Sequence, residues 1–173
     1  MLDSIDDYAS PHEFVREAYG QYLNNYNSNP SVNGRMFEFI ICETLMREGI
    51  VPFYYQAKFT LVPNADFDLV CYHPRRPVVL SAKVSLRERY KQADLEGFAL
   101  SQVYRNARSY LLTLSDEQVG VREKIHSGDV AGLTNCIRAD SPDYDALLDE
   151  LKTETFSFAE QITPIEGRLV TQL

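Results

Sequence analysis

The stretch Val78-Val-Leu-Ser-Ala-Lys-Val-Ser-Leu-Arg-Glu-Arg-Tyr-Lys-Gln92 constrains this chain more than any other. A short apolar run ends in a lysine, and a strongly charged segment with a helix-start pattern follows at once. Just upstream, Ala65-Asp-Phe-Asp-Leu-Val-Cys-Tyr72 is a second apolar run carrying two aspartates. Between them, His73-Pro-Arg-Arg-Pro77 has the composition of a turn. Strand, turn, strand and helix in immediate succession predict a sheet with a helix packed on it.

At 173 residues the chain predicts one domain. Apolar residues make up 45%, enough for one core. No run approaches the roughly 20 apolar residues of a membrane span. The acidic start Met1-Leu-Asp-Ser-Ile-Asp-Asp7 has the pattern of neither a secretory signal nor a transit peptide. Cys42, Cys71 and Cys136 lie far apart in apolar settings, against both a disulfide framework and a cysteine zinc site. His12, His73 and His126 have no metal-ligand spacing. A cytoplasmic protein without a membrane partner is the expectation.

The net charge of -8 argues against a nucleic-acid partner until its distribution is read. Between positions 75 and 108, eight bases face three acids. That local excess of +5 coincides with the strand–helix segment and predicts a basic face there.

Elsewhere the pattern predicts a helix over 11–25, opened by Ser10-Pro-His-Glu13 as cap and capping box. A loop follows over 27–34 and a helix over 35–48. Strands are expected at 51–61, 66–72, 78–83, 110–114 and 131–138. Ser85-Leu-Arg-Glu88 reads as a capping box opening a helix towards Asn106, with Gly97 as a break. Short helices are expected near 118–125 and from Ser141 to about Lys152. The core is placed at 34–152 and an irregular tail at 153–173. Within that tail, Ile165-Glu-Gly-Arg168 matches a common protease-cleavage linker. The predicted fold class is α/β, with a mixed sheet flanked by helices.

Alternation along a strand puts Asp66 and Asp68 on one face, and Ser81 with Lys83 on one face. With the turn centred on Arg75-Arg76, Asp68 falls roughly opposite Lys83. A carboxylate and the Ala82 backbone carbonyl suit a hard cation such as Mg2+. A neighbouring lysine can orient or deprotonate a water and stabilise charge on a phosphate. Each residue alone has an ordinary explanation: a strand-end aspartate capping a turn, a solvated lysine at a strand terminus. Glu38 lies at the border of its helix's apolar stripe, within reach of the sheet. Arg87 and Arg89, near a helix start, oppose the helix dipole, which favours an anion contact there. Lys91, Gln92, Arg75 and Arg76 complete the expected DNA-facing set.

These residues resemble the PD-(D/E)XK nuclease superfamily. The match is closest to type II restriction endonucleases whose core reads approximately A-K-T-T-C-K-D-R-W-R-Q, beside Ala82-Lys-Val-Ser-Leu-Arg-Glu-Arg-Tyr-Lys-Gln92 here. Tyr110-Leu-Leu-Thr-Leu114 looks like the family's next strand, and Gly34-Arg-Met-Phe-Glu38 like its first-helix glutamate motif. The resemblance implies a restriction-endonuclease-like fold and a Mg2+-dependent endonuclease acting on double-stranded DNA. It implies Lys83 as the catalytic lysine, Asp68 and Glu38 as metal carboxylates, Arg89 near the scissile phosphate, and a homodimer on a near-palindromic site. One departure stands out: Ser81 occupies the (D/E) position. Glu38 and Asp66 are the expected substitutes. A catalytically inactive module on the same fold and a repair or junction-resolving nuclease are the alternatives.

Overall fold

A computed structural model describes residues 8–27, 29–159 and 165–171. The apolar run at 78–83 forms β3 (Val78–Lys83), the middle of the sheet. Two helices precede it, α1 (Pro11–Asn25) and α2 (Pro30–Arg47), then β1 (Phe53–Phe59) and β2 (Phe67–Cys71). After it come α3 (Arg89–Val103), β4 (Arg108–Thr113), α4 (Gln118–Ser127), β5 (Asn135–Arg138), α5 (Pro142–Lys152) and β6 (Ile165–Val170). The six strands form one sheet in the order β5-β4-β3-β2-β1-β6. β1, β2 and β3 pair antiparallel, and β6 joins β1 antiparallel. β4 and β5 add in parallel on the other side of β3. The crossovers that parallel pairing requires are α3 and α4.

Side-chain alternation splits the core into two layers. Leu69, Cys71, Val78, Leu80, Tyr110 and Leu112 meet α1, α2 and α5 on one face. Val70, Val79 and Leu100, with Leu111, Cys136 and Val121 further along, build the opposite layer under α3 and α4. Covered on both faces, β2 and β3 are buried throughout save for Lys83, so both read as continuous apolar runs. No helix among the described residues is long and apolar enough to cross a membrane.

Several boundaries differ from the sequence reading, each for a local reason. α2 begins at Pro30 because the Asn29 side chain accepts from the Ser31 and Val32 amides, an N-cap inside the expected loop. Ser10 precedes α1 as expected, but its hydroxyl bonds His12 rather than capping the helix. α3 begins at Arg89, so Ser85 and Glu88 form no capping box and Ser85–Glu88 is a connecting turn. β5 is confined to 135–138, because Val130 and Leu133 are buried from a loop instead. The tail carries β6, which includes the linker-like Ile165-Glu-Gly-Arg168.

Gly97 is no break. α3 runs through it, and a Cβ there would collide with the Gly132 carbonyl oxygen and the Ser109 side chain. Gly132 is equally crowded against the α3 backbone at Asp94 and Phe98, and its N–H donates to Asp94 Oδ1 at 2.6 Å. This pair of glycines sets how closely α3 lies on the sheet. Gly97→Ala is expected to cost about 1–3 kcal/mol by overpacking, read as a lowered denaturation midpoint. An unchanged midpoint would contradict this contact.

Candidate active site

β2 and β3 pair Leu69 with Leu80, Val70 with Val79 and Cys71 with Val78. One step on, Asp68 faces Ser81, two residues short of the expected partner Lys83. A shift of two keeps every side chain on its face, whereas a shift of one would have separated the groups. Asp68 Oδ2 accepts from the Ala82 amide at 2.8 Å and from Lys83 Nζ at 2.6 Å. A carboxylate thus takes a place in the ladder that a carbonyl would fill, and the strands part at this end. The side chains are 10% and 17% exposed, so the pair attracts through a medium much less polar than water.

α2 brings Glu38 to the same place. Its Oε2 accepts from Tyr55 Oη at 3.0 Å and from Gln56 Nε2 at 2.8 Å. Two consecutive strand residues reach one carboxylate because the β1–β6 register shifts between Tyr55 and Lys58. Gln56 has φ 50°, a left-handed conformation that is costly for a side chain with a Cβ. Burial raises the Glu38 pKa, and the negative charge of Asp68 raises it further. The bond from Tyr55, the charge of Lys83 and the bond from Gln56 offset part of that.

The sequence reading missed Glu96. It lies on the inner stripe of α3 with Ala93, Gly97 and Leu100, all buried. Gln92 Nε2, one turn earlier, donates to Glu96 Oε1 at 2.8 Å, and the Asp66 backbone amide also bonds the carboxylate. Burial raises the Glu96 pKa; Gln92 and the charge of Lys83 lower it, and Asp68 raises it. Glu96 therefore shares its electrostatic surroundings with both members of the central pair. Alternation puts the buried Ser81 on this same α3 side of β3, with Val79. An acidic residue at i, i+3, i+4, i+7 register with Ala93, Gly97 and Leu100 was the available signal.

Glu38 and Lys83 open into a pocket of about 610 Å³ whose lining also includes Arg35, Gln56, Arg89 and Arg168; Asp68 lies behind Lys83, and Glu96 lines a separate pocket with Val62, Ala65 and Leu95. Ala82 also lines the Lys83 pocket and gives its N–H to Asp68. Other expected residues stand elsewhere. Asp66 is exposed and pairs with Lys58 at 3.0 Å, so its side chain does not join Asp68. Gln92 holds Glu96 rather than facing outward alone. Exposed Lys91 pairs with Glu88. Arg87 is exposed at φ 30°, and its amide donates to Glu117 at 2.9 Å. Arg75 and Arg76 sit in the β2–β3 turn, beyond the other end of β3, whose own length of about 16 Å at a strand's rise per residue separates them from Lys83. There Arg76 and Arg108 are held by Glu154. The basic segment 75–108 is thus one run in sequence and two separate ends in space. Among the described residues, no three His, Cys, Asp or Glu side chains are gathered to hold a metal ion.

No protein-family model and no curated protein matches this sequence.

Proposed function

We propose that this protein is a metal-dependent DNA endonuclease with a restriction-endonuclease-like fold, of the type II restriction kind. The observation that carries the reading is the Asp68–Lys83 pair at the parted end of β2 and β3, with Lys83 and Glu38 lining one pocket and the charge of Asp68 felt by both Glu38 and Glu96. The order of antiparallel hairpin, helix and parallel strand supports the same resemblance.

Phosphodiester hydrolysis needs a positioned water, charge neutralisation on the phosphate and help for the leaving oxygen. Lys83 Nζ, at the pocket wall, orients the water and stabilises charge on the phosphate. Arg89, at the start of α3 and exposed to the same pocket, approaches the phosphate from the side. Glu96 takes the role that Ser81 leaves open, in place of the expected Asp66. Burial, and to a lesser extent the charge of Asp68, raise the Glu38 and Glu96 pKa values; the three carboxylates are not gathered into a metal group as they stand, and drawing them onto a hard cation would relieve that charge. Asp68 and Glu96 would hold Mg2+, with Glu38 adjacent, and the ion would neutralise the phosphate and lower the pKa of a bound water. Cutting both strands of a duplex asks for two such sites, which a two-fold homodimer supplies.

A catalytically inactive module on this fold is the second reading. It is favoured by Ser81, by the net charge of -8 and by the commitment of Asp68 Oδ2 to Lys83 and Ala82. Supercoiled plasmid incubated with the purified protein separates the two. The endonuclease reading expects linear or nicked product with Mg2+ and none with a chelator. Intact plasmid across Mg2+ and Mn2+ would favour the inactive module. Selective cleavage of branched DNA would move the assignment to a junction-resolving nuclease.

A further inference from the structure

Five of the twelve arginines in this acidic chain are committed to acids. Arg47, Arg76, Arg108, Arg122 and Arg138 each hold a carboxylate. The other seven form no ion pair among the described residues, and three of these, Arg35, Arg89 and Arg168, share one pocket. These three come from α2, α3 and β6, and all three line the pocket that holds Glu38 and Lys83. Unpaired arginines drawn from three elements to one opening imply an anion at that opening, since guanidinium groups match phosphate geometry.

The backbone fixes each position. Arg35 stands three residues before Glu38, on the adjoining face of α2. The first turn of α2, through Pro30, Ser31 and Gly34, lines the same pocket with the positive end of the helix dipole. Arg168 lies opposite Tyr55 in the β1–β6 pairing, and Tyr55 donates to Glu38. β6 approaches closely there: a Cβ on Gly167 would stand 2.9 Å from Ala57 Cα. Glu38, Lys83 and the three arginines thus line one opening.

We propose that Arg35 and Arg168, together with Arg89, clamp the backbone phosphates of a DNA strand on either side of the bond held over Lys83. The inference rests on the endonuclease reading and adds two binding residues outside the strand–helix motif, one of them on the strand that resembled a linker. Arg35 and Arg168 contact phosphates and carry no sequence information, so their loss weakens binding to all duplexes alike.

The test is binding of a fluorescently labelled mixed-sequence duplex in chelator, measured by anisotropy across a salt series. The proteins are wild type, Arg35→Ala, Arg168→Ala, Arg168→Lys and Arg105→Ala. Arg105 is exposed beyond the C-terminal end of α3 and lines no part of this pocket. Each alanine at 35 or 168 should reduce the slope of log affinity against log salt by about 0.9, the share of one phosphate contact. Arg168→Lys should retain the wild-type slope, and Arg105→Ala should match wild type. If wild type binds DNA and both alanine variants keep its affinity and slope, the clamp is wrong and the endonuclease reading stands. If wild type shows no salt-dependent binding, both fail together.

Discussion

Lys83→Ala is expected to lose about 10² to 10⁴-fold in cleavage rate, the range for removing a positioned acid–base group. It is also expected to lose stability. The lysine is hydrogen-bonded to a carboxylate only 10% exposed, and its removal leaves Asp68 with the Ala82 amide as its remaining hydrogen-bond donor. Breaking a buried ion pair from one side costs several kcal/mol. Here the pocket admits water, which places the loss at about 3 kcal/mol or below. Chemical denaturation measures it. The double variant Asp68→Asn with Lys83→Met removes both charges and should recover much of the stability while remaining inactive. A double variant less stable than Lys83→Ala would show that the pair is not coupled as described.

Glu96→Gln is expected to abolish cleavage and stabilise the fold. The carboxylate pKa is raised above 4.5, chiefly by burial. A raised carboxylate pKa means that the folded state holds its proton to higher pH than the unfolded chain does. Stability therefore falls as pH rises from the unfolded pKa to the folded one, and the full penalty is present above both. Glutamine carries no such penalty and can still accept from Gln92. At pH 8 the variant should be more stable by about 1 kcal/mol, a common gain where function has imposed a cost. Its advantage should shrink towards zero as pH approaches 4.5. Thermal melts at several pH values check this. An advantage that grew on acidification would contradict the assigned shift.

How far the sequence could be read depended on whether the governing contacts were local. β3 was legible to the residue, because an apolar strand covered on both faces stops where Lys83 must reach an open pocket. That Asp68 and Lys83 share a site was legible from strand parity. Their register was not: the turn between Cys71 and Val78 centres one residue before the Arg75-Arg76 midpoint, and its two prolines gave no centre of symmetry. Glu38 was legible as a stripe-border residue, but its partners depend on a bulge at Gln56 that no composition announces. Glu96 was hidden because it sits on the buried stripe of α3, thirteen residues beyond Lys83, where helix periodicity and not strand alternation decides which residues face the sheet; the expected substitutes were Glu38 and Asp66. β6 was invisible because its pairing with β1 joins residues more than a hundred positions apart. The basic run misled for a geometric reason: strand length carries Arg75 and Arg76 away from the site that Arg89 lines.

The proposed function stands on Asp68, Lys83 and Glu96 acting together as a phosphodiester-cleaving site. Digestion of phage DNA by wild type and by Glu96→Gln, across a magnesium titration, tests it most directly. The account predicts discrete fragments from wild type and none from the variant at any magnesium concentration. Identical fragment patterns from both proteins, or intact DNA with wild type throughout, would contradict it.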